Sequence, residues 1–237
     1  MKFIFLLIIG AGVTACSFHL QSSITASQQK ITSENAENSV EIDSLVAPYK
    51  REMEAEFSQV IGNAKTSLLT NRNSMTLGFW ICDELIEQTR DSAIFSKQDP
   101  LLSILNFGGL RADIPVGKIT IGTIYKVMPF DNHITYLKLS TDKLSEIELY
   151  MKERGGEPIG GFRITQGKIV LKDSIAKQKG FFWVVTTDFL ANGGDKMTFF
   201  VNPLERIDSP LLLRDFILNR VKLKVDIGCE DSRRIDW

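Results

Sequence analysis

The sequence predicts an α+β (mixed α/β) domain, and three observations predict it. Segments with apolar residues every three or four positions are interspersed with short runs rich in β-branched and aromatic residues. No stretch repeats another. From residue 41 onward the chain is about 195 residues long, enough for one sizeable core or two small lobes.

The elements follow in order. Glu41 to Gly62 reads as an amphipathic helix, because Val46, Tyr49, Met53, Phe57 and Val60 line one face and Gly62 offers a stop. Leu77 to Arg90 is a second helix, with Trp80, Ile81, Leu85 and Ile86 inward and Asp83, Glu84 and Glu87 outward. Leu101 to Asn106 is a short apolar strand running into Gly108-Gly109. His133 to Leu139 is a strand with apolar groups on both sides, so the pattern does not say which face is buried. Thr141 is placed to cap a helix through Met151 that ends at Gly155-Gly156. Gly161 to Leu171 reads as a hairpin turning at Gln166-Gly167, and Phe181 to Thr187 as a buried strand leading toward Gly193-Gly194. Ser209-Pro210 offers the start of a last helix through Val221, and Leu223 to Ile227 a final strand. Strand order is left open by this pattern.

The N-terminus reads as targeting rather than fold. Lys2 precedes an apolar run, Phe3 to Val13, which is too short to span a bilayer and suits a signal peptide over residues 1–15. The run ends at Val13-Thr14-Ala15-Cys16, which resembles a bacterial lipobox. That resemblance implies cleavage before Cys16 and lipid attachment there; the alternative is an ordinary signal peptide with a chance cysteine. Residues 16–40 are rich in Ser, Gln, Asn, Thr and Glu and read as a flexible tether reaching roughly 25–30 Å. The expected location is the periplasmic face or the cell surface, with membrane attachment through the lipid. Ser17 stands where an Asp would mark inner-membrane retention, which favours the outer membrane.

Composition narrows the class. A hydrophobic content of 43% and a net charge of −1 suit a globular protein without affinity for nucleic acid polymers. Two histidines, His19 and His133, are too few for a hydrolytic metal site on this chain. There is no nucleophile elbow, no P-loop and no Cys-His pair with reason to meet. Cys82 and Cys229 either pair in an oxidising compartment or stay as buried thiols.

Three motifs carry the chemistry: Asn106-Phe-Gly-Gly-Leu-Arg111, Pro129-Phe-Asp-Asn132 and Phe189-Leu-Ala-Asn-Gly-Gly-Asp195. Each joins a permissive or rigid turn to planar or charged side chains. Together they hold rings that suit a base, a carboxylate that suits sugar hydroxyls and a guanidinium that suits phosphate. Taken singly the residues are unremarkable in kind. Phe130 and Phe189 read as core, the Gly pairs as turns, Arg111 as a surface ion pair and Asp195 as a turn residue.

In this order and spacing the motifs resemble the C-terminal, substrate-binding domain of the 5′-nucleotidase family. Val46-Ala-Pro-Tyr-Lys50 through Gly62, Leu213-Arg-Asp-Phe-Ile217 and Arg234-Ile235 extend the resemblance over residues 41–237. The resemblance implies that Phe130 and Phe189 sandwich the base and Asp195 accepts from the ribose. It implies that Asn106 and Asn132 touch the base edge and Arg111 reaches phosphate. Gly108, Gly109, Gly193 and Gly194 would let the backbone approach closely. Two departures stand out: Arg72 is the one candidate for the family's further phosphate-facing arginines, and Lys196 replaces a common glycine. The family's catalytic half is a two-metal phosphoesterase with Asp, His and Asn ligands. It is expected as a separate metallophosphoesterase chain carrying the divalent metals, with no cofactor on this chain. The alternatives are a non-catalytic surface protein that binds nucleotides or nucleosides, and an interaction lipoprotein with a decayed site.

Overall fold

The computed structural model describes residues 40–92, 95–96, 98–171, 179–229 and 233–237. The signal peptide, Cys16 and the tether up to residue 39 lie outside the described residues. By contacts the chain divides into Met1–Val46 and Ala47–Trp237. Of the first unit only residues 40–46 are described, as the opening of helix α1.

The helices are α1 (Val40–Phe57), α2 (Thr76–Asp91), α3 (Ile121–Val127), α4 (Lys143–Arg154), α5 (Asp188–Ala191) and α6 (Leu213–Lys224). The strands are β1 (Val60–Ala64), β2 (Leu101–Ile104), β3 (Gly117–Thr120), β4 (His133–Ser140), β5 (Ile159–Gly160), β6 (Phe162–Thr165), β7 (Lys168–Leu171), β8 (Phe181–Thr187), β9 (Glu205–Leu212) and β10 (Asp226–Ile227). The described elements thus make the expected mixture of helices and strands.

Five strands form the main sheet in the order β5-β2-β8-β4-β9. The β2–β8 pair is parallel, and its other neighbours are antiparallel. A smaller sheet runs β10-β1-β3, and β6-β7 is the expected hairpin. Its turn places Gln166 at φ 50° and Gly167 at φ 71°, the two positive values that a tight hairpin turn requires.

Both faces of the main sheet are covered, which explains why β4 shows apolar groups on both sides. Ile134, Trp183 and Val185 enter one core with α2, α3 and α6. Leu137, Leu139, Phe182 and Val184 enter another with α4, Phe199 and Phe200. A strand buried on both faces loses clean alternation.

Several sequence expectations need correction. The first helix stops at Phe57, and Gly62 lies inside β1 rather than at a helix end. A side chain at Gly62 would lie 2.6 Å from Val221 of α6, so glycine serves close packing there. Tyr49 and Met53 of α1 are exposed rather than inward. Glu84, expected to be outward, is buried against Arg220. Thr141 does not cap α4: its hydroxyl donates to the Gly180 carbonyl, and Asp142 precedes the helix without a side-chain cap. Ser209 and Pro210 belong to β9, and α6 begins later, at Leu213. Proline is tolerated there because β9 is the edge strand. The final strand shrinks to Asp226–Ile227 because α6 continues to Lys224. The two alternatives left open for Cys82 and Cys229 resolve without a disulfide between them. Burial pushes the Cys82 thiol up to about 12, which leaves it protonated and inert.

Candidate functional site

The three motifs lie at adjoining strand ends. β4 and β8 run antiparallel with Ile134 opposite Thr187. The Pro129–Asn132 turn that precedes β4 therefore lies beside α5, which follows β8. β2 pairs in parallel with β8 and leads into the turn Phe107–Gly109. The result is a cleft of about 290 Å³ lined by Asn106, Gly108, Gly109 and Arg111 on one side. Phe130, Asn132, Phe189 and Asp195 complete it.

Phe130 and Phe189 are 42% and 46% exposed, so neither is a core residue. Phe189 is held through its backbone. Thr187 caps α5 by accepting from the Leu190 amide, and Asp188 accepts from the amides of Phe189 and His133. Asp188 thus ties the Phe189 ring to the start of β4, and His133 sits beside it with Nδ1 3.5 Å from Asp188. Gly194 does not line the cleft but supports it. A Cβ there would meet the Phe189 ring at 2.5 Å and the Phe189 carbonyl at 2.6 Å. Glycine is therefore what allows the ring its position.

The polar groups are preset. The Asn106 amide donates to Asp195 Oδ2 at 2.5 Å, which ties the first motif to the third. The Asn106 amide oxygen in turn lies 2.5 Å from where a Gly109 Cβ would be. Asp195 adopts φ 51°, an uncommon conformation for a side-chain-bearing residue, and Lys196 follows at φ 66°. Tyr150 holds this bend by donating to the Asp195 carbonyl. Arg111 touches the Gly108 carbonyl at 3.3 Å and is otherwise turned to solvent.

Arg72, the candidate for a further phosphate contact, is used behind the cleft. It donates to the carbonyls of Arg154 and Gly156 and stacks 4.6 Å from the Phe107 ring. Among the described residues no three His, Cys, Asp or Glu side chains converge as a metal site. His133 is part of the Asp188 contact described above.

Sequence reasoning missed Glu157, Tyr150, Asp188 and Arg214, whose partners lie far along the chain. Glu157 is the most informative. Its side chain is 1% exposed, and Oε2 accepts from the Phe107 amide at 2.5 Å, which pins the Asn106–Gly109 turn. Burial pushes its carboxyl above the usual 4.5, while the Phe107 amide, Arg72 and Arg154 pull it back in part. The folded protein therefore binds this proton more tightly than the unfolded chain. That contribution to stability is fully present below the ordinary carboxyl range and is lost as pH rises through the raised value. Glu157→Gln keeps an oxygen for the Phe107 amide and removes the titration. The midpoint of the variant, relative to the wild type, is expected to rise as pH increases upward from the ordinary carboxyl range. Thermal unfolding of both proteins as pH is raised measures the difference, and a variant whose midpoint stays level with or falls relative to the wild type would refute the assignment.

Residues 60–147 match the family model described as 5′-nucleotidase, C-terminal domain. The chain is 27% identical over 195 residues to the trifunctional nucleotide phosphoesterase protein YfkN of Bacillus subtilis, covering 71% of this chain and 13% of that protein. Among solved structures it resembles a 5′-nucleotidase precursor from Thermus thermophilus, with TM-score 0.66 and 24% identity. That match covers 82% of this chain and 42% of the other. It also resembles the NAD nucleotidase of Haemophilus influenzae, with TM-score 0.60 and 19% identity over 83% of this chain and 41% of that one. The chain thus spans less than half the length of each of these proteins. The match to the family model is confined to residues 60–147, and the fold of the chain is similar to that of these structures.

Proposed function

We propose that the cleft holds the nucleoside part of a nucleotide and presents its phosphate to a metallophosphoesterase on a separate chain. The observation that carries this reading is the pair of half-exposed phenylalanines over a cleft edged by Asp195 and Arg111. Rings left in water at that cost suit a flat partner. Stacking serves any base, since all have a π-face. The Asp195 carboxylate suits the ribose hydroxyls, and the Arg111 fork suits phosphate oxygens. The work of this chain is orientation, which lowers a barrier by fixing the reacting group in place. The divalent metals that polarise phosphate and supply hydroxide belong to the partner in this reading.

Lipid attachment at Cys16 would hold the domain at the outer membrane. Sharing that membrane with the phosphoesterase would raise the effective concentration of the pair. Two results would sink this arrangement. One is a Cys16→Ser protein that still sediments with membranes. The other is a membrane co-purification that recovers no phosphoesterase.

The reading is tested on the ligand side by thermal unfolding with adenosine, AMP, UMP and inorganic phosphate. Ligand at about 100 times its dissociation constant stabilises by ~2.7 kcal/mol, or roughly 5–10 °C in a chain of this size. Shifts with adenosine and AMP that phosphate does not reproduce are expected. No shift with any nucleoside or nucleotide would reject the reading.

A further inference from the structure

The Phe130 turn has an anchor that the three motifs do not include. Arg214 lies in the first turn of helix α6, and its guanidinium donates to the Asp131 carboxylate at 2.7 Å. Its neighbour Leu213 donates its backbone amide to the Asn132 carbonyl at 2.8 Å. The two residues that follow Phe130 are thus both held by the first turn of α6. Arg214 is only 12% exposed on its side chain, whereas Asp131 is 76% exposed. A nearly buried cation whose acidic partner points into solvent is poorly explained by surface electrostatics, which contribute little.

The other face of the guanidinium is also fixed. It stacks 4.6 Å from the Tyr125 ring, and Tyr125 stacks on Phe57 with centroids 4.8 Å apart. Phe57, Tyr125, Arg214 and Asp131 form one pile that ends at the residue beside Phe130. A planar guanidinium suits both contacts at once, which an ammonium does not.

We infer that Arg214 is a positioning residue that sets the Phe130 ring at the cleft. This rests on the nucleoside reading above. Arg214 reaches the ligand only through the turn, so its effect on affinity should vanish once the ring is gone. Arg214→Ala and Asp131→Ala are each expected to weaken adenosine binding about tenfold, with no further loss when the two are combined. In a Phe130→Ala background neither change should alter adenosine affinity. Arg214→Lys should restore only part of the loss. Asp131→Ala keeps the test open if Arg214→Ala folds poorly, because Asp131 is exposed.

The measurement is isothermal titration with adenosine, together with amide exchange at Leu213, whose N–H closes onto Asn132. Losses that disappear in the Phe130→Ala background, with faster Leu213 exchange, support the inference. Losses that persist at full size without the ring, or no loss at all, overturn it. If the wild type binds no adenosine, the nucleoside reading fails on its own. Leu213 exchange then decides the clamp: faster exchange in the two variants upholds it, and unchanged exchange overturns it.

Discussion

Phe130→Ala and Phe189→Ala are each expected to weaken adenosine and AMP binding by about 5- to 150-fold, since base stacking contributes about 1–3 kcal/mol per ring. The exposure of both rings decides how such a result is read. A half-exposed side chain that packs into no core leaves little cavity when it is truncated, so the midpoint without ligand should barely move. A loss of affinity would then be a loss of contact with the base. The double variant should bind nucleosides too weakly to detect. Titration calorimetry with both ligands checks this. Unchanged adenosine affinity in both single variants would remove the rings from the site.

Arg220→Ala should be the most damaging single change to stability away from the cleft. Glu84 and Arg220 are each 8% exposed, and Arg220 donates to Glu84 through Nε at 2.5 Å and pairs again through Nη2. Glu87 and Lys224 complete a ring of charge that joins α2 to α6. Removing one partner of a buried pair strands the other charge, which typically costs 3–5 kcal/mol. Lys224, 3.8 Å from Glu84, offsets part of that. The expected drop is roughly 6–20 °C in midpoint. Replacing both members, Glu84→Leu with Arg220→Met, should recover most of it, because no charge is then left buried alone. Thermal unfolding of the three variants separates stranded charge from lost packing. A double variant as unstable as the single one would favour packing.

The same pair shows why parts of the fold were illegible in the sequence. Helix α2 was clear, because Leu77, Ile81 and Leu85 repeat at helical spacing. Nothing local distinguished Glu84 from Asp83 or Glu87, since its partner lies 136 residues away. Strand β8 was clear as an unbroken apolar run bounded by turn residues. Strand β9 was hidden by Ser209-Pro210, which is as good a helix start as an edge-strand proline. Helix α1 reads as longer than it is because Val60 continues its apolar step into what is a strand.

The site divides in the same way. Its lining was legible because the motif residues combine turn chemistry with rings and charges in short stretches. Its supports were not. Glu157 beneath Phe107, Tyr150 beneath Asp195 and Arg214 beneath Asp131 are lone polar residues in helices or loops. Each meets the site across 45 to 83 positions of chain. Asn106 marks the boundary: its place in the cleft was legible, but its bond to Asp195 was not.

The pairing of β4 with β8 has one more consequence. The two phenylalanines flank neighbouring strands, so the gap between them is gauged by the sheet and not by either loop alone. Strand neighbours lie about 4.8 Å apart, and a shift of one residue along a strand moves a side chain by about 3.4 Å and turns it to the opposite face. Volume-conserving point changes inside β4 and β8 leave the caliper at its setting. A single-residue insertion or deletion in either strand does not, because it would carry one jaw out of line with the other. Lineages of this domain should therefore show strands of constant length between the two rings, whatever else in them changes.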